Sequence, residues 1–142
     1  MQTVSMPASC IFCRIVAGEA PSYIVAEDDA TVAFLDLGQA TPGHTLVVPR
    51  THAPDIWAIS DGDLAAVSAT AKRVAHLVDD RLGPDGITLV QTNRVAGWQS
   101  VFHFHLQVIP RWHGDGLRPP WDEDRPPSDE RAAILDRLLA RD

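Results

Sequence analysis

Apolar residues in the middle of the chain recur at three- and four-residue steps. Leu64, Val67, Ala71, Val74, Val78 and Leu82 form one stripe through "SDGDLAAVSATAKRVAHLVDDRLGP", the period of an α-helix that buries one face. Ser60 or Asp61 can cap its start, and Gly83–Pro84 can stop it. Elsewhere the apolar residues alternate or run together, as in strands. "SYIVAEDDATVAFLDL" predicts a hairpin, with strands near Tyr23–Glu27 and Thr31–Leu35 around a turn at Asp28–Asp29. "TLVVPR" predicts a short buried strand ended by Pro49. "GITLVQTN" and "SVFHFHLQVIPRW" predict two more.

The flanks are less regular. "CIFCRIVAGEAP" predicts a short helix with Ile11, Ile15 and Val16 on one face, ended by Gly18 and Pro21. "GQATPGH" and "RVAGWQ" are loops by composition. Residues 113–127, rich in Pro, Gly and acidic side chains, predict an extended segment, and "SDERAAILDRLLARD" a terminal amphipathic helix with Ile134, Leu135, Leu138 and Leu139 on one side. About five strands and one long helix imply an α+β domain with a mostly antiparallel five-stranded sheet, a short N-terminal helix and a C-terminal extension. A length of 142 residues suits a single domain, with a core over about 10–112 and an extension over 113–142.

Composition narrows the function classes. A hydrophobic content of 45% with 22% charged residues is ordinary for a globular chain. Against 19 Asp+Glu there are only 12 Lys+Arg, a net charge of −7, which argues against a broad nucleic-acid-binding surface. A small anionic substrate remains compatible with a locally positive pocket. No apolar run reaches membrane-spanning length, and "MQTVSMPAS" has neither the charged nor the apolar region of a signal peptide. The expected location is therefore cytoplasmic. There, Cys10 and Cys13 suggest a metal or redox pair, or two small buried residues, rather than a structural disulfide.

The chemistry concentrates in "SVFHFHLQVIPRW". Positions two apart on a strand share a face, so His103, His105 and Gln107 point one way, and Phe102, Phe104, Leu106 and Val108 point toward a core. A solvated strand face is the plain reading. The chemical reading is a phosphate or metal site. Neutral imidazole is a nucleophile and a metal ligand near pH 7, and a carboxamide N–H can hold a phosphoryl oxygen but cannot serve as an acid.

"HFHLQVIPR" resembles the signature of the histidine triad (HIT) superfamily, His-x-His-x-His/Gln among apolar residues. "AGWQSVFH", "FLDLGQATPGHTLVVPRTH" and "CIFCRIVAGEAPSYIVAEDD" resemble its other segments, in the family's order. The resemblance implies a HIT-like fold and a homodimeric nucleotide-binding protein; the expectation of no nucleic-acid and no membrane partner rests on the charge and hydropathy above. Its activity would be hydrolysis or nucleotidyl transfer at a nucleoside α-phosphate, through a nucleotidyl–histidine intermediate, on substrates such as dinucleoside polyphosphates.

By position, the resemblance makes His105 the nucleophile and Ser100 the phosphate-contacting serine, with Gln99 beside it. Gln107 would hold the phosphoryl oxygens, Asp36 the ribose hydroxyls, and Asn93 would lie near the phosphate. It also implies a structural zinc site of Cys10, Cys13, His52 and His103. Ile11 and Ile24, with Phe34 and Leu35, are candidates for an apolar slot for the base, and Trp98, Trp112 and His113 are weaker pocket candidates. His44 matches a family position but reads as a loop or core-edge residue, and His76 as a helix-face residue. Gln107 departs from the histidine of most small relatives; glutamine there is typical of the hexose-1-phosphate uridylyltransferase and dinucleoside-polyphosphate phosphorylase branches. A nucleotide-binding or sensing protein with little turnover is the alternative.

Overall fold

The computed structural model describes residues 9–121 and 123–140. Residues 1–8, where the sequence lacks a signal-peptide pattern, and the last two residues of the predicted terminal helix lie outside the described residues. The elements run α1 (Ile11–Val16), β1 (Ile24–Glu27), β2 (Thr31–Leu35), β3 (Thr45–Pro49), α2 (Asp61–Leu82), β4 (Gly86–Gln91), β5 (Leu106–Arg111) and α3 (Arg131–Leu138). The strands form one antiparallel sheet in the order β1-β2-β3-β5-β4. The α+β expectation holds, including the five-stranded sheet and the single long helix.

Local chemistry explains the two best-predicted elements. Ser60 caps α2 by accepting from the N–H of Asp63, and Gly83 ends it in the left-handed conformation at φ +59°. The β1–β2 turn closes on Asp28, whose Oδ1 accepts from the N–H groups of Ala30 and Thr31 and from the Thr31 hydroxyl. Arg73 of α2 then donates to Asp28 Oδ2 at 2.6 Å, which docks the hairpin on the helix. These donors, led by the Ala30 N–H, hold the Asp28 carboxyl far below the usual carboxylate range.

The sheet is covered on both faces at its centre. On one face Ala33, Val47 and Val108 pack with Val67, Ala71, Val74 and Val78 of α2. On the other, Val32, Phe34, Leu46 and Val48 pack with Phe12 of α1. Two-sided burial accounts for the unbroken apolar run of "TLVVP". The register pairs Gln107 with Leu46 of β3 and Val90 of β4. Directly paired residues share a face, so Gln107 projects on the α1 side.

Three expectations change. The predicted strand from Ser100 begins only at Leu106. Residues 100–105 follow an irregular path because the Phe104 N–H donates to the Ala53 carbonyl at 2.7 Å instead of to a neighbouring strand. Phe104 still reaches the α2-side core, but Phe102 is 51% exposed and packs on neither core face. In α1 the buried residues are Phe12 and Cys13, with Ile11 exposed; a helix of 6 residues takes its orientation from its anchors, here Phe12 on Phe34 and the cysteines on distant histidines. Helix α3 forms, but Ile134, Leu135, Leu138 and Leu139 are all exposed, so its apolar side covers no core in a single chain.

Candidate functional site

The α1 side of the sheet receives two loops. The first runs from Asp36 to His44 and is clamped by one side chain. Gln39 Nε2 donates to the carbonyls of Asp36 and His44, and its Oε1 accepts from the Gly43 N–H. Gly43 sits at φ +94°, a left-handed backbone conformation that favours glycine, where the loop crosses the end of α2 beside Leu82 and Pro110. The clamp seats His44, which is buried. Its Nδ1 lies 3.1 Å from the Ala40 N–H, and its Nε2 lies 2.8 Å from Gln107 Oε1 and 3.5 Å from Asp36 Oδ2.

The second loop spans residues 92–105. Gln99 is only 4% exposed. Its amide donates to the carbonyls of Pro54 and Val101 and accepts from the Arg94 N–H. Arg94 in turn lays its guanidinium 3.7 Å above the Trp57 ring. Asn93 accepts from the Ile56 N–H and is doubly bonded to Gln91. Both amides therefore shape the loop. Ser100 is exposed between Gln99 and Val101, and Val101 packs on the Phe12–Phe34 cluster.

The end of that loop delivers two buried histidines with opposite tautomers. His105 Nδ1 is 2.8 Å from the His103 carbonyl. A carbonyl only accepts, so Nδ1 carries the proton and the neutral ring leaves Nε2 bare. Burial holds the His105 pKa below the ordinary histidine value, opposed by that hydrogen bond and by the charge of Asp36. The ring therefore offers an unprotonated nitrogen at neutral pH. Its edge meets Phe12, with centroids 5.1 Å apart.

His103 has the reverse arrangement. Its Nε2 donates to the Pro49 carbonyl at 2.9 Å, so the bare atom is Nδ1. That atom faces Cys10 Sγ at 3.5 Å, Cys13 Sγ at 3.4 Å and His52 Nδ1 at 3.2 Å. Cys13 Sγ to His52 Nδ1 is 3.2 Å, and the four donor atoms lie within 4.8 Å of one another. A tetrahedral ion with ordinary Zn–S and Zn–N bonds has ligand–ligand edges of about 3.3–3.8 Å. The donor set and its spacing fit such an ion. Burial, and then the neighbouring Cys10, push the Cys13 thiol up to about 12, while burial pulls His103 down to about 4. Protein alone thus disfavours charge here, and a cation would reverse that for the thiols.

The structure gathers Asp36, His44, His105 and Gln107 at one place, and Cys10, Cys13, His52 and His103 at another. His103 joins the two through its carbonyl. Among the apolar candidates, Ile24 pairs with Phe34 on the α1 side, and Ile11 is exposed on α1. Leu35 is a correction: it follows Phe34 on β2 and so turns to the opposite face, opposite Thr45. His44 is the residue sequence reasoning undervalued. Its position in "PGHTL" carries no periodic signal, and only the packed loop brings it to Gln107.

Residues 17–114 match the model of the HIT domain family. The chain is 40% identical over 114 residues to Protein hit of Bacillus subtilis, covering 80% of this chain and 79% of that protein. Among solved structures, it is similar to a zinc-bound histidine triad family protein from Mycobacterium smegmatis. That similarity has a TM-score of 0.75 and 38% identity, over 93% of this chain and 94% of that one. It is similar also to a histidine triad nucleotide-binding protein from Candida albicans, at TM-score 0.81 and 28% identity, over 93% and 96%. With the triad positions, their paired strand and the preceding loop all in place, the chain belongs to the HIT domain family.

Proposed function

We propose that this protein is a nucleotide-binding hydrolase or nucleotidyltransferase acting at a nucleoside α-phosphate through a nucleotidyl-histidine on His105. The observation that carries this reading is the hydrogen bond from His105 Nδ1 to the His103 carbonyl, which leaves Nε2 bare for attack. The Nε2 lone pair forms the N–P bond, and the P–O bond to the leaving group breaks with its electron pair. Water or another acceptor then takes the nucleotidyl group and restores the imidazole. Ser100 and Gln107 meet the phosphoryl oxygens and Asp36 binds the ribose hydroxyls. Ile11, Ile24, Phe34 and the Phe12 ring flank the base. Gln99 and Asn93 act by holding the loop that presents Ser100.

Gln107 favours leaving groups that depart as stable anions, because a carboxamide cannot protonate a poor one. Dinucleoside polyphosphates fit that requirement better than nucleoside phosphoramidates. The same residue supports a second reading, a nucleotide-binding or sensing protein with little turnover. Cys10, Cys13, His52 and His103 would hold zinc as a closed structural site, which stabilises the fold and leaves no open position for substrate. The chain would act as one HIT domain of about 10–112 with its extension, paired as a homodimer across α2 and the β4 edge, where Leu77, Leu82 and Leu89 are exposed. No helix among the described residues is long and apolar enough to cross a membrane.

Mass spectrometry after mixing the protein with a panel of dinucleoside polyphosphates tests the reading. A nucleotidyl mass added to His105 is expected. Turnover without any adduct, in rapidly quenched samples, would overturn the covalent route, and binding without turnover would favour the sensing role.

A further inference from the structure

We infer that His44 is a positioning residue that turns the Gln107 carboxamide so that its NH2 group faces the phosphoryl oxygens of a bound nucleotide. This rests on the proposed reading of the site. A backbone N–H can only donate, so the Ala40 N–H at 3.1 Å makes His44 Nδ1 an acceptor. The neutral His44 ring then carries its proton on Nε2. That proton lies toward Gln107, 2.8 Å away, so the Gln107 atom facing it is the oxygen. The orientation of the amide follows from the donor chemistry and not from the similar shapes of its two branches. Asp36 Oδ2, 3.5 Å from the same nitrogen, favours the proton there.

The other branch of the amide is left for ligand. Among the described residues, Gln107 Nε2 has no hydrogen bond within the protein, and no buried side-chain polar atom lacks a partner, so this NH2 reaches solvent. The terminal torsion of glutamine is broad and close to two-fold. Without His44, the carboxamide can turn its carbonyl toward an anionic phosphoryl group, where lone pairs meet negative charge. With His44, the carbonyl is engaged and two N–H donors remain. The chain Ala40 N–H, His44, Gln107 thus converts an ambivalent side chain into a donor-only phosphate contact, as preorganised sites require. A triad with glutamine in third place needs this setting, because glutamine has an acceptor on its tip that must be faced away.

The test uses the full-length protein. NMR of the histidine ring nitrogens at pH 7 is expected to show His44 as the Nε2–H tautomer. An Nδ1–H or doubly protonated ring would overturn the inference. Calorimetry then compares common ribonucleoside monophosphates with their nucleosides. His44→Phe keeps a ring without the donor and is expected to weaken monophosphate binding about 10-fold, and nucleoside binding by distinctly less, since the ring also touches Asp36. In a Gln107→Leu background the same substitution is expected to have no further effect. Gln107→Glu, which keeps the acceptor for His44 but replaces the NH2 by oxygen, is expected to lose monophosphate affinity at least as strongly, with the tautomer retained. An equal loss from His44→Phe with and without Gln107, or a parallel loss of nucleoside affinity, would show a merely structural role and overturn this inference alone. Absence of nucleotide binding in the unaltered protein would overturn it together with the proposed function.

Discussion

His103 and His105 are joined by a single hydrogen bond, from the ring Nδ1 of His105 to the main-chain carbonyl of His103 at 2.8 Å. The His103 ring meanwhile turns its own Nδ1 into the cysteine cluster. One residue thus ends the metal-type site and sets the tautomer of the candidate nucleophile. Two residues apart in the same motif, the histidines do different work because their acceptors differ: Pro49 O for one ring, His103 O for the other.

His105→Ala is expected to lower turnover by roughly 10³-fold or more, because it removes the attacking atom itself. Nucleotide affinity should change little, since the phosphate donors and the base slot remain. Steady-state kinetics alongside calorimetry check both halves, and near-normal turnover would remove His105 from the proposed role.

Purified protein is expected to carry about one equivalent of zinc per chain, by elemental analysis of material never exposed to chelator. Cys13→Ser should lose the metal and lower the unfolding midpoint, because metal binding free energy is folding free energy. The same variant should shift the NMR signals of His105, since His103 links the two sites. Metal well below one equivalent would favour a reduced, metal-free cysteine pair.

Gln107→His restores a group able to protonate a departing amine. It is expected to raise the rate on nucleoside phosphoramidates, relative to dinucleoside polyphosphates, by about 10-fold or more. Paired assays on both substrate classes decide it. An unaltered protein that already prefers the phosphoramidate would refute the leaving-group argument.

Asp28 links the β1–β2 turn to α2, so Asp28→Ala is expected to cost roughly 1–2 kcal/mol by urea denaturation at pH 7. Its carboxyl is depressed in the folded state, chiefly by the Ala30 N–H. The sign follows: its contribution is complete above the unfolded value of about 3.9 and fades as pH falls below it toward the folded value. Partial exposure of Asp28 and Arg73 keeps the ion-pair share small. The stability gap between the two proteins should therefore narrow at pH 3, and a gap independent of pH would reassign the loss to packing.

The hairpin and α2 were legible because their signals are local. Asp28 closes its turn with neighbours three residues away or less, Ser60 and Gly83 stand at the helix ends, and the middle of the apolar stripe, Val67, Ala71, Val74 and Val78, is buried, while Leu82 at its end is exposed. The four metal-type ligands were reached through the family resemblance, and the fold brings their donor atoms together. The histidine motif was legible in content but not in form. Alternation predicts a strand through His103 and His105, whereas the strand starts at Leu106, because the Phe104 N–H is taken by Ala53 from a distant loop.

Short-range spacing and capping chemistry carried the fold class and the long helix, and the family resemblance pointed to His105 and Gln107 as candidates for the chemistry. Three-dimensional packing alone assigned the partners. It used up the polar atoms of Gln99 inside its loop and left the apolar side of α3 uncovered. It also set His44 against Gln107 across 63 positions of sequence. The physical reason is the range of the interactions. Periodicity and caps act within one or two turns of chain, but a proton on one ring nitrogen, or the choice between the two ends of an amide, depends on whichever donor or acceptor the folded chain brings within 3 Å of it.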